Sequence, residues 1–179
     1  MRRFPFLLFM VISAALAAML LQSAQDTNPA STANAPFPAI TVASLDGKTS
    51  WQPKAMKGRV TVINFYASWC TPCAAEMPEL DALKKQFPKI HLAGIAWNDD
   101  PKTLTKWLKA NGNPFHSSWL DAKGDATIDL GIKGIPETIV VDATGAIRFR
   151  LAGPLTEEMR NGEFGTLITN LLAEAKGAQ

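Results

Sequence analysis

The amino-acid sequence predicts an α/β fold in which a central mixed β-sheet is flanked by helices and extended by an N-terminal β-hairpin. Two observations support this prediction. Apolar strands alternate with helical patterns between residues 60 and 110, which implies a parallel central pair of strands. A second hairpin pattern near residue 145 adds an antiparallel edge. The composition, 47% hydrophobic and 19% charged, is that of a globular protein with one core.

The first predicted elements are a hairpin, a strand and a helix. Residues 39–51 alternate in polarity around Asp46-Gly47, a dipeptide that favours a tight hairpin turn. Residues 60–66 are mostly β-branched or aromatic, which is typical of a buried strand. Residues 69–87 then carry apolar side chains at helical spacing, and Pro78 is expected to kink this helix.

The remaining elements follow from the same signals. Asp100 is expected to cap a helix that Pro101 begins, because a carboxylate accepts the free N–H groups of a first turn. The region between that helix and residue 125 is expected to be a loop. The other predictions are strands at 90–97, 138–141 and 146–151, and helices at 101–110, 125–130 and 156–175.

The N-terminal segment, residues 1–21, is predicted to be a signal anchor that crosses a membrane. Arg2 and Arg3 precede eighteen uncharged residues, a run just long enough to span a bilayer with the remainder of the chain translocated. A cleaved signal peptide is the alternative, although Gln22-Ser23-Ala24 is a poor cleavage site. Residues 22–38 are expected to form a flexible linker, and residues 39–179 the globular domain.

Charge and cysteine content exclude several classes of protein. The net charge is only +2 and no long basic run occurs, so nothing indicates binding to nucleic acid. The chain has two cysteines, separated by two residues, whereas a disulfide scaffold needs several spread along the chain. A bond between them would close a very short loop and contribute little to stability. Such a pair is better explained by a chemical role of the two cysteines than by stabilisation of the fold.

The segment Trp69-Cys70-Thr71-Pro72-Cys73 follows a predicted strand and opens a predicted helix. Free N–H groups and the positive end of the helix dipole favour the thiolate form of Cys70 over the thiol. A thiolate attacks disulfide sulfur, and Cys73, one turn deeper on the same face, can then attack Cys70 and release the partner. The pair is therefore predicted to exchange disulfides with other molecules.

Two other interpretations of the cysteine pair remain. A zinc site needs four ligands, and the other candidates, His91 and His116, are 25 residues apart, which does not match the spacing of zinc-binding pairs. Inert buried cysteines are common, but rarely as an isolated pair at a strand-to-helix junction. No metal and no bound cofactor are expected, because the disulfide can itself be the redox centre.

Residues 64–73, Asn64-Phe65-Tyr66-Ala67-Ser68-Trp69-Cys70-Thr71-Pro72-Cys73, resemble the active-site segment of the thioredoxin superfamily. Residues 134–138 resemble the second signature of that family, in which the proline, here Pro136, is cis and faces the disulfide. Residues 112–115, 131–138 and 142–150 are similar to the CcmG/DsbE branch, the membrane-anchored thioredoxins of cytochrome c biogenesis. The resemblance covers about residues 36–175 and implies a thioredoxin-like fold.

The resemblance also implies roles for particular residues. Asn64 stands where thioredoxin has a buried aspartate, and Glu76 and Glu137 match two glutamates that the branch places near the disulfide. We expect one of them, Glu137 more than Glu76, to accept the proton of Cys73, with an ordinary surface role for Glu76 as the alternative. A cis peptide at Pro136 would present the backbone of the preceding residue to a bound peptide. The residues expected to form the substrate surface are Trp69, Thr71, Pro72, Ile135 and Pro136.

The function that the resemblance implies is that of a specialised reductant, held by the inner membrane with its domain in the periplasm. Its client would be apocytochrome c, whose haem-binding cysteines must be thiols before haem is attached. Its electrons would come from a membrane thiol-disulfide transporter of the DsbD or CcdA kind. The alternatives are a general oxidant or reductant of other periplasmic proteins, and a non-catalytic apocytochrome or haem chaperone. A chaperone would keep its binding after Cys70→Ser and Cys73→Ser.

Overall fold

Seven strands form one mixed β-sheet in the computed structural model, which describes residues 34–177. The order of strands across the sheet is β2-β1-β5-β4-β3-β6-β7. The strands are β1 (Val42–Ser44), β2 (Ser50–Trp51), β3 (Thr61–Tyr66), β4 (His91–Trp97), β5 (Ser117–Asp121), β6 (Glu137–Val141) and β7 (Ile147–Ala152). The helices are α1 (Thr71–Gln86), α2 (Pro101–Asn111), α3 (Asp125–Asp129), α4 (Glu157–Asn161) and α5 (Glu163–Gly177).

The centre of the sheet is parallel and its margins are antiparallel, as predicted. β3 pairs in parallel with β4, and β4 with β5, whereas β6 and β7 add antiparallel strands on one side. On the other side β1 and β2 form the predicted N-terminal hairpin, in which Val42 lies opposite Trp51. The expected N-cap of α2 is also present, because the Asp100 side chain accepts a hydrogen bond from the N–H of Thr103 at 2.8 Å.

The loop prediction between α2 and α3 was wrong, since this region contains β5. Two serines open β5 and weaken any strand signal in its sequence. The strand exists because it has partners on both sides: Trp119 lies opposite Ile95 of β4 and opposite Ser44 of β1. These partner strands are distant in sequence from β5, so no local sequence pattern predicts the pairing.

The predicted closing helix, residues 156–175, is interrupted. α4 ends at Asn161. Gly162 follows with a φ of −99° and a ψ of −121°, which are not helical, and α5 starts at the next residue. The break brings the carbonyl oxygen of Arg160 so close to Gly165 that any side-chain carbon there would overlap it. The two glycines therefore allow two helices to be joined without a loop.

The core lies on both faces of the sheet, and alternation along β3 assigns side chains to one face or the other. Val62 and Tyr66 pack in the cluster that includes the buried residues of α1 and α5. Ile63 and Phe65 pack in a second cluster on the opposite face, with Ile139 of β6. Asn64 therefore points toward α1, whereas Glu137, directly opposite Phe65 in the sheet, points away from α1.

Residues 34–38, which the sequence analysis places in the linker, contact the sheet. The Asn34 N–H donates to the carbonyl of Ile147 at 2.7 Å, and the Phe37 N–H donates to that of Gly145 at 2.9 Å. Phe37 is buried in the second core cluster. Residues 34–38 are thus attached to the β6–β7 turn, because they supply it with backbone partners and one aromatic side chain.

The predicted anchor, residues 1–21, and the first part of the predicted linker lie outside the described residues. Among residues 34–177, no helix combines the length and the apolar character needed to cross a membrane.

Candidate active site

The two cysteines lie at the junction between β3 and α1, where they form a disulfide. Cys70 is the N-cap of α1, and its Sγ accepts a hydrogen bond from the N–H of Cys73 at 3.2 Å. Cys73 is fully buried and Cys70 is 5% exposed, while Thr71 and Pro72 are exposed beside them. Because solvent reaches only Cys70, this sulfur is the one that another molecule can approach first.

The backbone before the disulfide is held by a carboxylate from the neighbouring strand. Asp99 follows β4 and accepts hydrogen bonds from the Ser68 N–H at 2.6 Å and the Ser68 hydroxyl at 2.9 Å. The Trp69 indole N–H donates to the carbonyl of Asn98 at 3.1 Å, and the ring remains 56% exposed. These bonds fix the direction in which the chain enters the disulfide loop.

Asp99 was not identified from the sequence as a residue of the site. The available signal was topological. Parallel neighbours such as β3 and β4 end at the same edge of a sheet, so the residues that follow them must meet there. Asp100 alone does the capping, since its side chain binds Thr103.

The segment that contains Pro136 reaches the same edge. The Ile135–Pro136 peptide is cis, as the resemblance implied. β6 begins directly after Pro136 and runs antiparallel to β3, with Glu137 opposite Phe65 near the end of β3. This pairing brings the start of β6 to the edge from which the disulfide loop departs. Ile135 is partly buried and packs against the core cluster that contains both cysteines.

Glu76 lies inside the protein, one turn of α1 after Cys73. Its carboxylate accepts hydrogen bonds from the Asn64 side-chain amide at 3.0 Å and from the N–H of Leu155 at 2.9 Å. Only 1% of the residue is exposed, so the surface role considered as an alternative is wrong. Burial raises the pKa of Glu76 to about 7, although both hydrogen bonds act in the opposite direction.

Glu137 occupies a different environment. Its carboxylate lies 3.5 Å from Nε of Arg150, on the face of the sheet away from α1. Burial raises the pKa of Glu137, and the positive charge of Arg150 opposes this. Of the two glutamates, Glu76 therefore shares the sheet face of Cys73, whereas Glu137 is paired with a cation on the other face.

The two histidines are not near the cysteines in the fold. Their rings stack 5.4 Å apart at the start of β4 and of β5, the end of the sheet opposite the disulfide. Across residues 34–177, no group of three or more histidine, cysteine, aspartate or glutamate side chains is arranged to hold a metal ion.

Comparison with known proteins gives concordant matches. Residues 32–167 match the Redoxin family. The thiol:disulfide interchange protein DsbE of Escherichia coli is 33% identical over 177 residues, which cover 96% of this chain and 95% of the relative. The thiol:disulfide interchange protein HelX of Rhodobacter capsulatus is 32% identical, covering 82% of this chain and 83% of the relative. A thiol:disulfide interchange protein of the thioredoxin family from Chlorobium tepidum has a crystal structure that is similar with a TM-score of 0.62 at 26% identity, covering 78% of this chain and 97% of that one.

Proposed function

The chain belongs to the Redoxin family, in the DsbE branch of thioredoxin-like thiol-disulfide oxidoreductases, and we propose that it reduces protein disulfides in the periplasm. One observation carries the proposal. Cys70 caps a helix N-terminus and is 5% exposed, beside the exposed Thr71 and Pro72, while Cys73 is fully buried. This arrangement gives one attacking sulfur and one resolving sulfur.

The reaction is two successive thiol-disulfide exchanges. In the reduced protein, the Cys70 thiolate attacks one sulfur of a client disulfide, forms a mixed disulfide and releases the first client thiolate. Cys73, as a thiolate, then attacks Cys70, releases the second client thiolate and closes the Cys70–Cys73 bond. The client gains two electrons and the protein loses two. The Cys73 N–H, which now contacts the Cys70 sulfur at 3.2 Å, would stabilise the attacking thiolate.

Cys73 must lose a proton before the second exchange, and we assign its acceptor to Glu76. The support is the position of Glu76 on the α1 face of the sheet and a pKa of about 7, which suits proton transfer near neutral pH. Glu137, which the sequence analysis preferred, is engaged with Arg150 instead.

A bound client would lie across the exposed end of the site. The backbone of Ile135, close to the start of β6, would pair with the client as a short strand, as the resemblance implies. Trp69, Thr71 and Pro72 are exposed beside Cys70 and would contact client side chains.

The proposed client is apocytochrome c, and the proposed electron donor is a membrane thiol-disulfide transporter of the DsbD or CcdA kind. The support is the similarity to the DsbE and HelX proteins together with the resemblance to the cytochrome c biogenesis branch. Residues 1–21 are proposed to anchor the chain in the inner membrane, with the domain in the periplasm.

Trapping of the mixed disulfide tests this function. The Cys73→Ser variant is incubated with an oxidised peptide that carries the Cys-x-x-Cys-His haem-attachment motif, and the products are separated without reductant. We expect a covalent adduct through Cys70 and none with Cys70→Ser. If both serine variants bind the peptide without covalent capture, and the wild type leaves its disulfide intact, the protein is a chaperone instead.

A further inference from the structure

The end of the sheet opposite the disulfide has a basic surface that the redox chemistry does not use. β3 runs from Thr61 to Tyr66, so the residues before it lie roughly 20 Å from the disulfide loop at about 3.3 Å per residue. Three clefts open at that end. Four cations line them, and we call these the basic face: Lys54, Arg59, Lys89 and Lys176.

The basic face is continuous because neighbouring clefts share its members. Arg59 borders a cleft of about 450 Å³ that also contains Lys54, and a smaller one of about 230 Å³. Lys89 and Lys176 border this smaller cleft and a third of about 470 Å³. None of the residues that line the three clefts is acidic.

The charges of the basic face are not neutralised from within the domain. Across residues 34–177 its four cations form no ion pair with a carboxylate. Asp142 and Glu174, near this end, are both bound by Arg148, at 3.1 and 2.7 Å. Asp46 in the β1–β2 turn lies 3.9 Å from Lys48. The positive field also reaches His91, because burial together with Arg59 lowers the pKa of that histidine to about 4.

Apolar surface lies between the cations. Phe87, Leu172 and Ala175 are only partly buried and line the clefts beside Lys89 and Lys176. Lysine side chains can bury their methylene stems against such a surface and keep their charge in water. A basic rim around exposed apolar side chains fits an anionic lipid surface, whose headgroups attract the cations and whose interface accepts the apolar groups.

The described chain also begins at this end of the domain. Asn34 bonds to Ile147 just after the β6–β7 turn, and Ala143 of the same turn accepts a hydrogen bond from Gly58, next to Arg59. If residues 1–21 are the anchor, about twelve residues separate it from Asn34, and they span at most about 40 Å when fully extended. Such a tether would raise the effective concentration of the domain at the membrane, so even weak docking would be effective.

We propose that the basic face docks on anionic phospholipid headgroups and so holds the disulfide on the side of the domain that faces away from the membrane. The inference rests on the membrane location proposed above. This orientation would leave the Cys70 surface open to clients. The anchor would confine the domain itself to a layer above the bilayer.

Lysine labelling of the full-length protein in lipid nanodiscs tests the docking. Acetylation rates are measured by mass spectrometry in discs of phosphatidylcholine alone and in discs that also contain phosphatidylglycerol. We expect Lys54, Lys89 and Lys176 to react about threefold or more slowly in the anionic discs, and the protection to vanish at about 1 M salt, where the Debye length is about 3 Å. Lys102 and Lys133, at the disulfide end, should react equally in both.

Matched charge reversals separate this inference from the proposed function. Lys89→Glu combined with Lys176→Glu should remove the protection of Lys54 in anionic discs, whereas Lys102→Glu combined with Lys106→Glu, with the same change of net charge, should not. Both double variants should reduce a soluble peptide disulfide at the wild-type rate, because neither changes the site. If Lys89→Glu combined with Lys176→Glu loses docking but keeps its exchange rate, the basic face acts in membrane docking and not in the redox reaction.

Equal labelling of the basic face in the two kinds of disc would overturn the proposal. Protection that requires an added acidic protein, and not phosphatidylglycerol, would overturn it as well and assign the face to a protein partner.

Discussion

At Glu76, burial of the side chain determines the pKa on which its proposed role in proton transfer depends. Its carboxyl group is buried between Asn64 and Leu155, and its pKa of about 7 lies above the ordinary glutamate value of 4.5. The folded protein therefore holds this proton more tightly than the unfolded chain. The stability that protonation contributes is complete below about pH 4.5 and is lost as the pH rises through 7.

Glu76→Gln should abolish this dependence, because a neutral amide has no proton to lose. Urea unfolding of the oxidised protein at pH 5 and pH 7.5 should show wild type losing about 2 kcal/mol relative to the variant over this interval. The same variant should exchange disulfides more slowly, with a changed pH profile. Glu137→Gln is the matched control, and an equal effect on exchange in that variant would contradict our choice between the glutamates.

Asp99 is expected to matter for the site through its bonds to Ser68. Asp99→Asn should weaken two charge-assisted hydrogen bonds, lower the free energy of unfolding by about 1–2 kcal/mol, and slow exchange at Cys70. Asp100→Asn is the control, because it affects only the cap of α2. Unfolding curves and exchange rates measured for both variants check this. Equal exchange rates in the two variants would show that Asp99 does not position the site.

At the scale of residues, the sequence was sufficient to predict those features of the site that belong to local motifs. The cysteine pair, the strand before it and the cis Pro136 segment all have recognisable patterns. The state of Glu76 could not be predicted in the same way, because its second partner, Leu155, lies 79 residues further along the chain. Whether a carboxyl group is buried depends on such distant contacts.

At the scale of elements, the close contact between β4 and the residues before β5 leaves no space for a side chain at position 94. A Cβ atom at Gly94 would lie 2.7 Å from the ring of Phe115, which itself packs against Tyr66. Gly94→Ala should therefore lower the free energy of unfolding by about 1–3 kcal/mol through overpacking.

Gly134→Ala is the control for that substitution, since nothing lies within 4 Å of its Cβ position. Thermal unfolding of the two variants gives the comparison. A Gly94→Ala protein as stable as Gly134→Ala would mean that the packing around Phe115 is looser than described.

The elements that sequence patterns predicted are those with a strong periodicity of their own. β3 and β4 are buried strands made mostly of β-branched, aliphatic and aromatic residues, and α2 has both a cap and a terminal glycine. β5 and the division between α4 and α5 were missed because each depends on packing. β5 needs β1 and β4 as partners, and the break at Gly162 follows from the approach of Arg160 to Gly165.

At the scale of the whole molecule, the two ends of the sheet have different chemistry. One end brings together the disulfide, the cis Pro136 segment and the exposed Trp69. The other end carries the basic face and the point at which the described chain begins. The sheet keeps these surfaces apart by the length of its strands, so a charge change at the basic face should leave thiol-disulfide exchange unaffected.

The equilibrium reduction potential of the purified protein tests the central claim, that the Cys70–Cys73 pair acts as a reductant. The protein is equilibrated in glutathione redox buffers, quenched with acid, and its free thiols are alkylated and counted. Our account predicts a potential between about −200 mV and the thioredoxin value of about −270 mV. A potential near −120 mV would be that of a strong oxidant and would contradict it.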